Sequence, residues 1–276
     1  MICQKKVNWV VKTIYSKRKS VMGTQKIGAV AKALQILSLF KFNKAEWGVT
    51  EIARELGMQK STVFRLLATM QEFGIVRKTR EGTGYRLGMR IFELGSVVAN
   101  TFDLRDIALS YLHKLSEQTG ETVHLGVLTE TDIMSIEAVN GQSTLKSTIL
   151  IGKRTPLYCT SVGKAILAFQ PPQIQNEIID KTNFIKFTEN TIVDREALIA
   201  ELKLTYQRGY AVDDMEHEIG VRCIAAPIWD ASGHVVASLS VSGPSIRINE
   251  VKIPELAQLV IRTTGEISKE LGAKII

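Results

Sequence analysis

The chain has 276 residues, of which 45% are hydrophobic and 23% charged, and carries a formal net charge of +7. That length predicts two domains with a core each, and the longest apolar runs, such as Cys223 to Trp229, are far too short to span a bilayer, which excludes a membrane span. The three cysteines, Cys3, Cys159 and Cys223, are widely spaced, which excludes a zinc motif or a disulfide framework and predicts reduced thiols in a cytoplasmic protein.

The charge is unevenly spread. Residues 1–25 hold six bases and no acids, residues 26–90 twelve bases against five acids, and residues 91–276 seventeen bases against twenty-three acids. A basic amino-terminal part joined to an acidic remainder predicts that one half meets a polyanion. Residues 1–25 read as a basic extension. It is either a disordered arm that adds nonspecific DNA affinity or the product of a misassigned start, with Met22 as the first residue.

In chain order, Ile27 to Phe42 reads as a helix whose Val30, Ala33, Leu34, Leu37, Leu39 and Phe40 pack behind the two helices after it. Thr50 to Leu56 is a second helix, capped by the Thr50 hydroxyl, ended by Gly57, and burying Ile52, Ala53 and Leu56. After the turn Gly57-Met58-Gln59, a third runs from Lys60 to Phe73 with Val63, Leu66, Leu67 and Met70 on one arc. The opposite arc carries Ser61, Thr62, Arg65 and Thr69, with Lys60 at the start and no acid before Glu72. Hydroxyls, Arg and Lys are the groups that contact phosphates and base edges. Ile75 to Arg80 and Tyr85 to Leu87 then form a hairpin, the wing, whose cations are Arg77, Lys78 and Arg80. Together these predict a winged helix-turn-helix over 26–88 that places one helix in the major groove of DNA. The alternative is a winged helix serving only as a protein–protein scaffold.

Met89 to Thr101 reads as a linker helix within 89–102, its apolar Ile91, Phe92, Leu94, Val97 and Val98 pairing with a second copy or packing on their own chain. In 103–276, Leu104 to Thr119 is a helix burying Ile107, Ala108, Tyr111, Leu112 and Leu115, ended by Gly120. The period then becomes that of strands: Val123 to Leu128, Ile133 to Val139, Thr144 to Ile149, Tyr210 to Asp213, Arg222 to Trp229 and Val235 to Ser242. Helices are expected at Ser161 to Phe169, Pro171 to Asp180, Asp194 to Arg208 and Val251 to Leu271. The irregular order with hairpin links predicts an α+β domain with a largely antiparallel sheet.

A four-residue turn Asp230–Gly233 sets Ile224 opposite Leu239, Ala226 opposite Ala237, Ile228 opposite Val235, and Cys223 across from Ser240. One face is then core. The other carries Cys223, Ala225, Ser238, Ser240 and Ser242, either as a solvated outer face or as the floor of a small polar ligand site.

Residues 26–272 resemble the IclR family of bacterial transcription regulators, through ELGMQKSTVFRLLATM, GYRLG…FELG, GKRTPLYCTSVGKAILA, GYAVDDMEHEIGVRCIAAPI and LSVSGPSIRI. The resemblance implies a winged helix, a dimerising linker helix, and a GAF-like domain that binds a small organic acid such as a sugar acid or keto acid, in a homodimer or homotetramer. It implies a regulator, expected to repress a catabolic operon by binding double-stranded operator DNA, with no catalytic residues and no cofactor. The family's effector pocket maps onto Ser161, Val162, Asp213, Cys223, Ser240 and Ser242. Asp213 is expected to repel a carboxylate and to accept from a hydroxyl or hydrate, which favours a hydroxylated or keto ligand. Two other readings compete at these positions. Cys223 as a nucleophile with His217 or His124 lacks a motif, and a metal held by Asp213, Glu216, His217 and Cys223 matches no standard ligand spacing.

Overall fold

The computed structural model describes residues 27–100 and 103–274, in two compact units that divide before Asp103. The expectations for residues 1–25 therefore lie outside the described residues.

The amino-terminal unit holds α1 (Gly28–Leu37), α2 (Val49–Glu55), α3 (Lys60–Glu72), β1 (Val76–Lys78), β2 (Tyr85–Leu87) and α4 (Met89–Asn100). Its core is Ile36, Trp47, Ile52, Ala53, Val63, Leu67, Met70, Val76 and Tyr85. The first helix differs from expectation. It ends at Leu37, buries Ile36, and leaves Val30 54% and Leu34 58% exposed. The segment after it turns back, and Trp47 pairs with Tyr85 beside the hairpin, its indole N–H donating to Leu39 O at 3.0 Å. The cap of α2 is also corrected. Gly48 occupies it, and Glu51 Oε2 accepts from the Gly48 N–H at 3.4 Å, so the Thr50 hydroxyl is not the cap. Gly57 has φ +62°, as the turn between α2 and α3 requires. On α4, Phe92 and Leu94 are exposed, and Ile91 is half-buried.

The carboxy-terminal unit is a six-stranded antiparallel sheet in the order β5-β4-β3-β8-β7-β6. The strands are β3 (Thr122–Thr129), β4 (Asp132–Val139), β5 (Arg154–Pro156), β6 (Ala211–Asp214), β7 (Val221–Trp229) and β8 (Val235–Pro244). Helices α5 (Asp103–Thr119) and α9 (Ile253–Glu270) pack on it, as does α6 (Ser161–Ala168) with α8 (Arg195–Arg208), while α7 (Pro172–Lys181) joins the cluster around α6. Thr144 to Ile149 is not a strand. The edge of β4 takes Arg154–Pro156 instead, and the Ser147 carbonyl bonds the Thr122 hydroxyl at 2.7 Å.

The β7–β8 register differs from the expected one by two residues: Ile224 faces Val241, Ala226 faces Leu239, and Cys223 faces Ser242. Two local features each contribute one. Asp230 N–H donates to His234 O at 2.9 Å, so the loop is Ala231-Ser232-Gly233, three residues with Gly233 at φ +78°. The ladder then shifts between Ile228 and Trp229, where Trp229 meets Val235 but Ile228 meets Ala237. An even slip keeps every side chain on its expected face. Ala225 joins the α6 core cluster, and Ser238, Ser240 and Ser242 are buried, so this face is not a solvated exterior.

Candidate nucleic-acid interface and ligand cavity

On α3, Lys60, Ser61, Arg65 and Thr69 are exposed and Thr62 is half-buried. The Thr69 hydroxyl donates to Arg65 O at 3.0 Å, so it can only accept from another partner. Phe64, 53% exposed, and Ala68 lie on the same open surface, where a pattern of polar groups alone does not single them out. Arg77, Lys78 and Arg80 are exposed on the hairpin. Arg86 pairs with Arg77 across the ladder and is held by Glu46, Nη2 to Oε2 3.1 Å, so its charge is partly answered within the unit. The surface is a helix N-terminus bearing hydroxyls and cations beside a basic hairpin.

In the other unit, Ser161, Val162, Asp213, Cys223, Ser240 and Ser242 all line one cavity of about 100 Å³. They arrive from separate elements. Asp213 stands on β6 opposite Cys223 on β7, and Cys223 stands opposite Ser242 on β8. The Ser240 and Ser242 hydroxyls lie 3.3 Å apart. Ser161 and Val162 open α6, capped by Thr160, whose Oγ1 accepts from Gly163 N at 3.3 Å. Lys164 N–H donates to Thr160 O at 3.0 Å, so the first-turn N–H groups of Ser161 and Val162 are the ones that lack an acceptor within the helix. Gly163 lets this helix start sit here. A Cβ on it would come within 2.1 Å of Leu157 O.

His124 on β3 and His217, weighed above only as partners of Cys223 or a metal, also line it, and sequence patterns missed Ser135 on β4, Lys153, Thr155, Thr160, Glu218, Val221 and the segment Ser147 to Leu150. His124 is separated from the hairpin in sequence, and only the β3–β8 ladder, which sets it opposite Ser240, brings it in. Its Nε2 lies 2.9 Å from Ser135 Oγ, and burial pushes its pKa down to about 4, so the ring is neutral near pH 7.

Asp213 is pushed up to about 7, first by burial and then by Glu216, against the pull of Lys164. Its Oδ1 accepts from Glu216 N at 2.8 Å. Lys164 is buried, salt-bridged to Glu216 and 3.8 Å from Glu201. Glu201 in turn meets Arg208 at 2.6 Å. Two carboxylates are thus paired with two cations, and Asp213 is the member left over. Burial, then the charge of Asp213, raises the Cys223 thiol above its ordinary range, which is the opposite of what a nucleophile needs. Among the described residues, no three His, Cys, Asp or Glu side chains are placed to hold a metal, so the arrangement weighed for Asp213, Glu216, His217 and Cys223 is not formed. No helix of the described residues is long and apolar enough to cross a membrane.

Family models match both units. The IclR helix-turn-helix domain matches residues 29–80, and the bacterial transcriptional regulator IclR C-terminal domain matches 96–269. The chain is 35% identical over 246 residues to the HTH-type transcriptional regulator XynR of Escherichia coli, covering 89% of this chain and 98% of that protein. The crystal structure of the Thermotoga maritima IclR is 34% identical, with a TM-score of 0.69, covering 90% of this chain and all of that one. A homolog from Microbacterium hydrocarbonoxydans, solved with 4-hydroxybenzoate, is 25% identical with a TM-score of 0.76, covering 88% of this chain and 98% of that one.

Proposed function

This chain belongs to the IclR family of bacterial transcriptional regulators, and from that premise we propose that it represses a catabolic operon under the control of a small hydroxylated or keto monocarboxylate. The family acts by binding rather than by catalysis. In this reading a dimer sets two copies of α3 in successive major grooves of a partly palindromic operator. Lys60, Ser61, Thr62, Arg65 and Thr69 meet bases and phosphates, while Arg77, Lys78 and Arg80 hold the backbone. The exposed Phe92 and Leu94 of α4 support a second copy as the partner there.

The observation that carries the effector reading is the convergence of Ser161, Val162, Asp213, Cys223, Ser240 and Ser242 on one cavity. With its pKa near 7, Asp213 is part-protonated at neutral pH. It can therefore donate to a carboxylate as well as accept from a hydroxyl, which relaxes the repulsion expected of a free carboxylate. The α6 N–H groups supply the anion's other donors. Among the described residues no phenyl or indole ring lines the cavity, which favours a sugar or keto acid over an aromatic one. Ligand binding changes DNA affinity only through a difference in its affinity for two arrangements of the oligomer, and the coupling is reciprocal. The test is a thermal-shift screen of sugar, keto and aromatic acids, followed by calorimetry on the hit. Ser240→Ala and Asp213→Ala should each weaken that ligand at least tenfold. Unchanged affinity in both removes the pocket assignment.

A further inference from the structure

Phe64 is a phenyl ring left 53% exposed on the helix that the proposed function sends into DNA. The α3 side chains that the core of this unit takes are Val63, Leu67 and Met70, with Leu66 packed against it, and Phe64 is not among them. At about 100° per residue, Ser61, Phe64, Arg65 and Ala68 fall within one arc of about 100°. All four are exposed and lie in the first two to three turns, the part of a recognition helix that meets base edges. Thr62 and Thr69 flank that arc beside the partly buried Leu66. An apolar pair at i, i+4 therefore forms one edge of this surface, with Arg65 between the two along the helix and the Ser61 hydroxyl one turn before Phe64.

We propose that Phe64 and Ala68 are specificity-determining residues that read thymine through its 5-methyl group, next to a base contacted by Arg65. The inference rests on the DNA-binding reading above. In the major groove the thymine methyl is the one apolar feature of a base-pair edge, and alanine and phenylalanine side chains are suited to it. Lys60, one turn before the ring, and Arg65, next to it, put positive charge beside Phe64, which disfavours apolar protein partners and draws it toward a duplex. The two side chains are separated by about 6 Å along the helix axis, so the thymines they touch lie within about two base pairs of each other.

The test selects binding sites for the full-length protein from random duplexes. Each thymine of the enriched site is then replaced by uracil, which removes only the methyl group, and affinity is read by fluorescence anisotropy. We expect uracil at one or two neighbouring positions to weaken binding about fourfold each, the worth of one buried methyl. Phe64→Ala, whose methyl is too short to reach from that position, should lose the preference at one of those positions and keep it at the other, read by Ala68, while Phe64→Leu, still apolar, should keep part of the preference at the first. Because the ring is exposed, both variants should melt with the parent. Uniform tolerance of uracil by the parent protein, or an unchanged thymine preference in Phe64→Ala, overturns the inference while leaving DNA binding intact. Enrichment of no duplex at all removes the DNA-binding reading itself, and this inference with it.

Discussion

Asp213 and His124 face the same cavity, and their titrations oppose each other. Asp213 has a folded pKa of about 7 against an ordinary value of 3.8, so the native state binds the extra proton between those values. Its contribution is fully present below pH 3.8 and is lost as pH rises through 7. His124 is pushed down to about 4 from 6.5, so the unfolded state binds the extra proton there. Its contribution is present above 6.5 and is lost as pH falls through 4. The two slopes partly cancel, and a melting curve of the parent conceals both. The difference between the parent and Asp213→Asn isolates the first. Asparagine keeps the acceptor for Glu216 N–H but sheds the surplus charge, so the variant should melt about 5 °C higher at pH 8 and the gap should close toward pH 4. A gap that stays constant with pH would mean that Asp213 is an ordinary carboxylate.

At the scale of elements, the β7–β8 hairpin shows what was legible and what was not. Alternation fixed the faces, because a side chain's face depends only on whether its position is odd or even. Register was not legible. It depended on a three-residue loop and a bulge, and neither leaves a pattern stronger than Gly233. Cys223 therefore meets Ser242 rather than Ser240, yet both serines still line the cavity. The missing strand at Thr144 to Ile149 fails for another reason. Alternation there is real, but the free edge of β4 is taken by Arg154–Pro156. His124 was illegible because its place is set by a ladder between segments more than a hundred residues apart. Helix α6 yields a prediction at this scale. Gly163→Ala forces a Cβ to 2.1 Å from Leu157 O, a backbone atom that cannot swing aside. The helix start must move, costing about 3 kcal/mol or more and displacing Ser161 and Val162. Chemical denaturation should show the loss, and calorimetry should show ligand affinity falling with it.

For the whole molecule, residues 26–90 hold the positive excess and 91–276 the negative one, which predicts a measurable division of labour. Duplex affinity should fall steeply with salt, and Lys78→Ala should reduce the slope of log affinity against log salt by about one while weakening all sequences alike. Arg65→Ala should weaken the selected site by about tenfold or more and relax preference at one base. A salt-independent association would point to the protein–protein scaffold instead. Phe92→Glu with Leu94→Glu should shift sedimentation toward the monomer, since both side chains are exposed within their own unit. An unchanged sedimentation coefficient would place self-association elsewhere. The wall formed by Ser147 to Leu150 lies outside every strand and helix, yet it lines the cavity. Its side chains can change without disturbing the ladder that holds Asp213, Cys223 and Ser242 in place. Libraries confined to positions 145–151 would therefore vary the lining of the cavity while leaving the sheet that frames it unchanged.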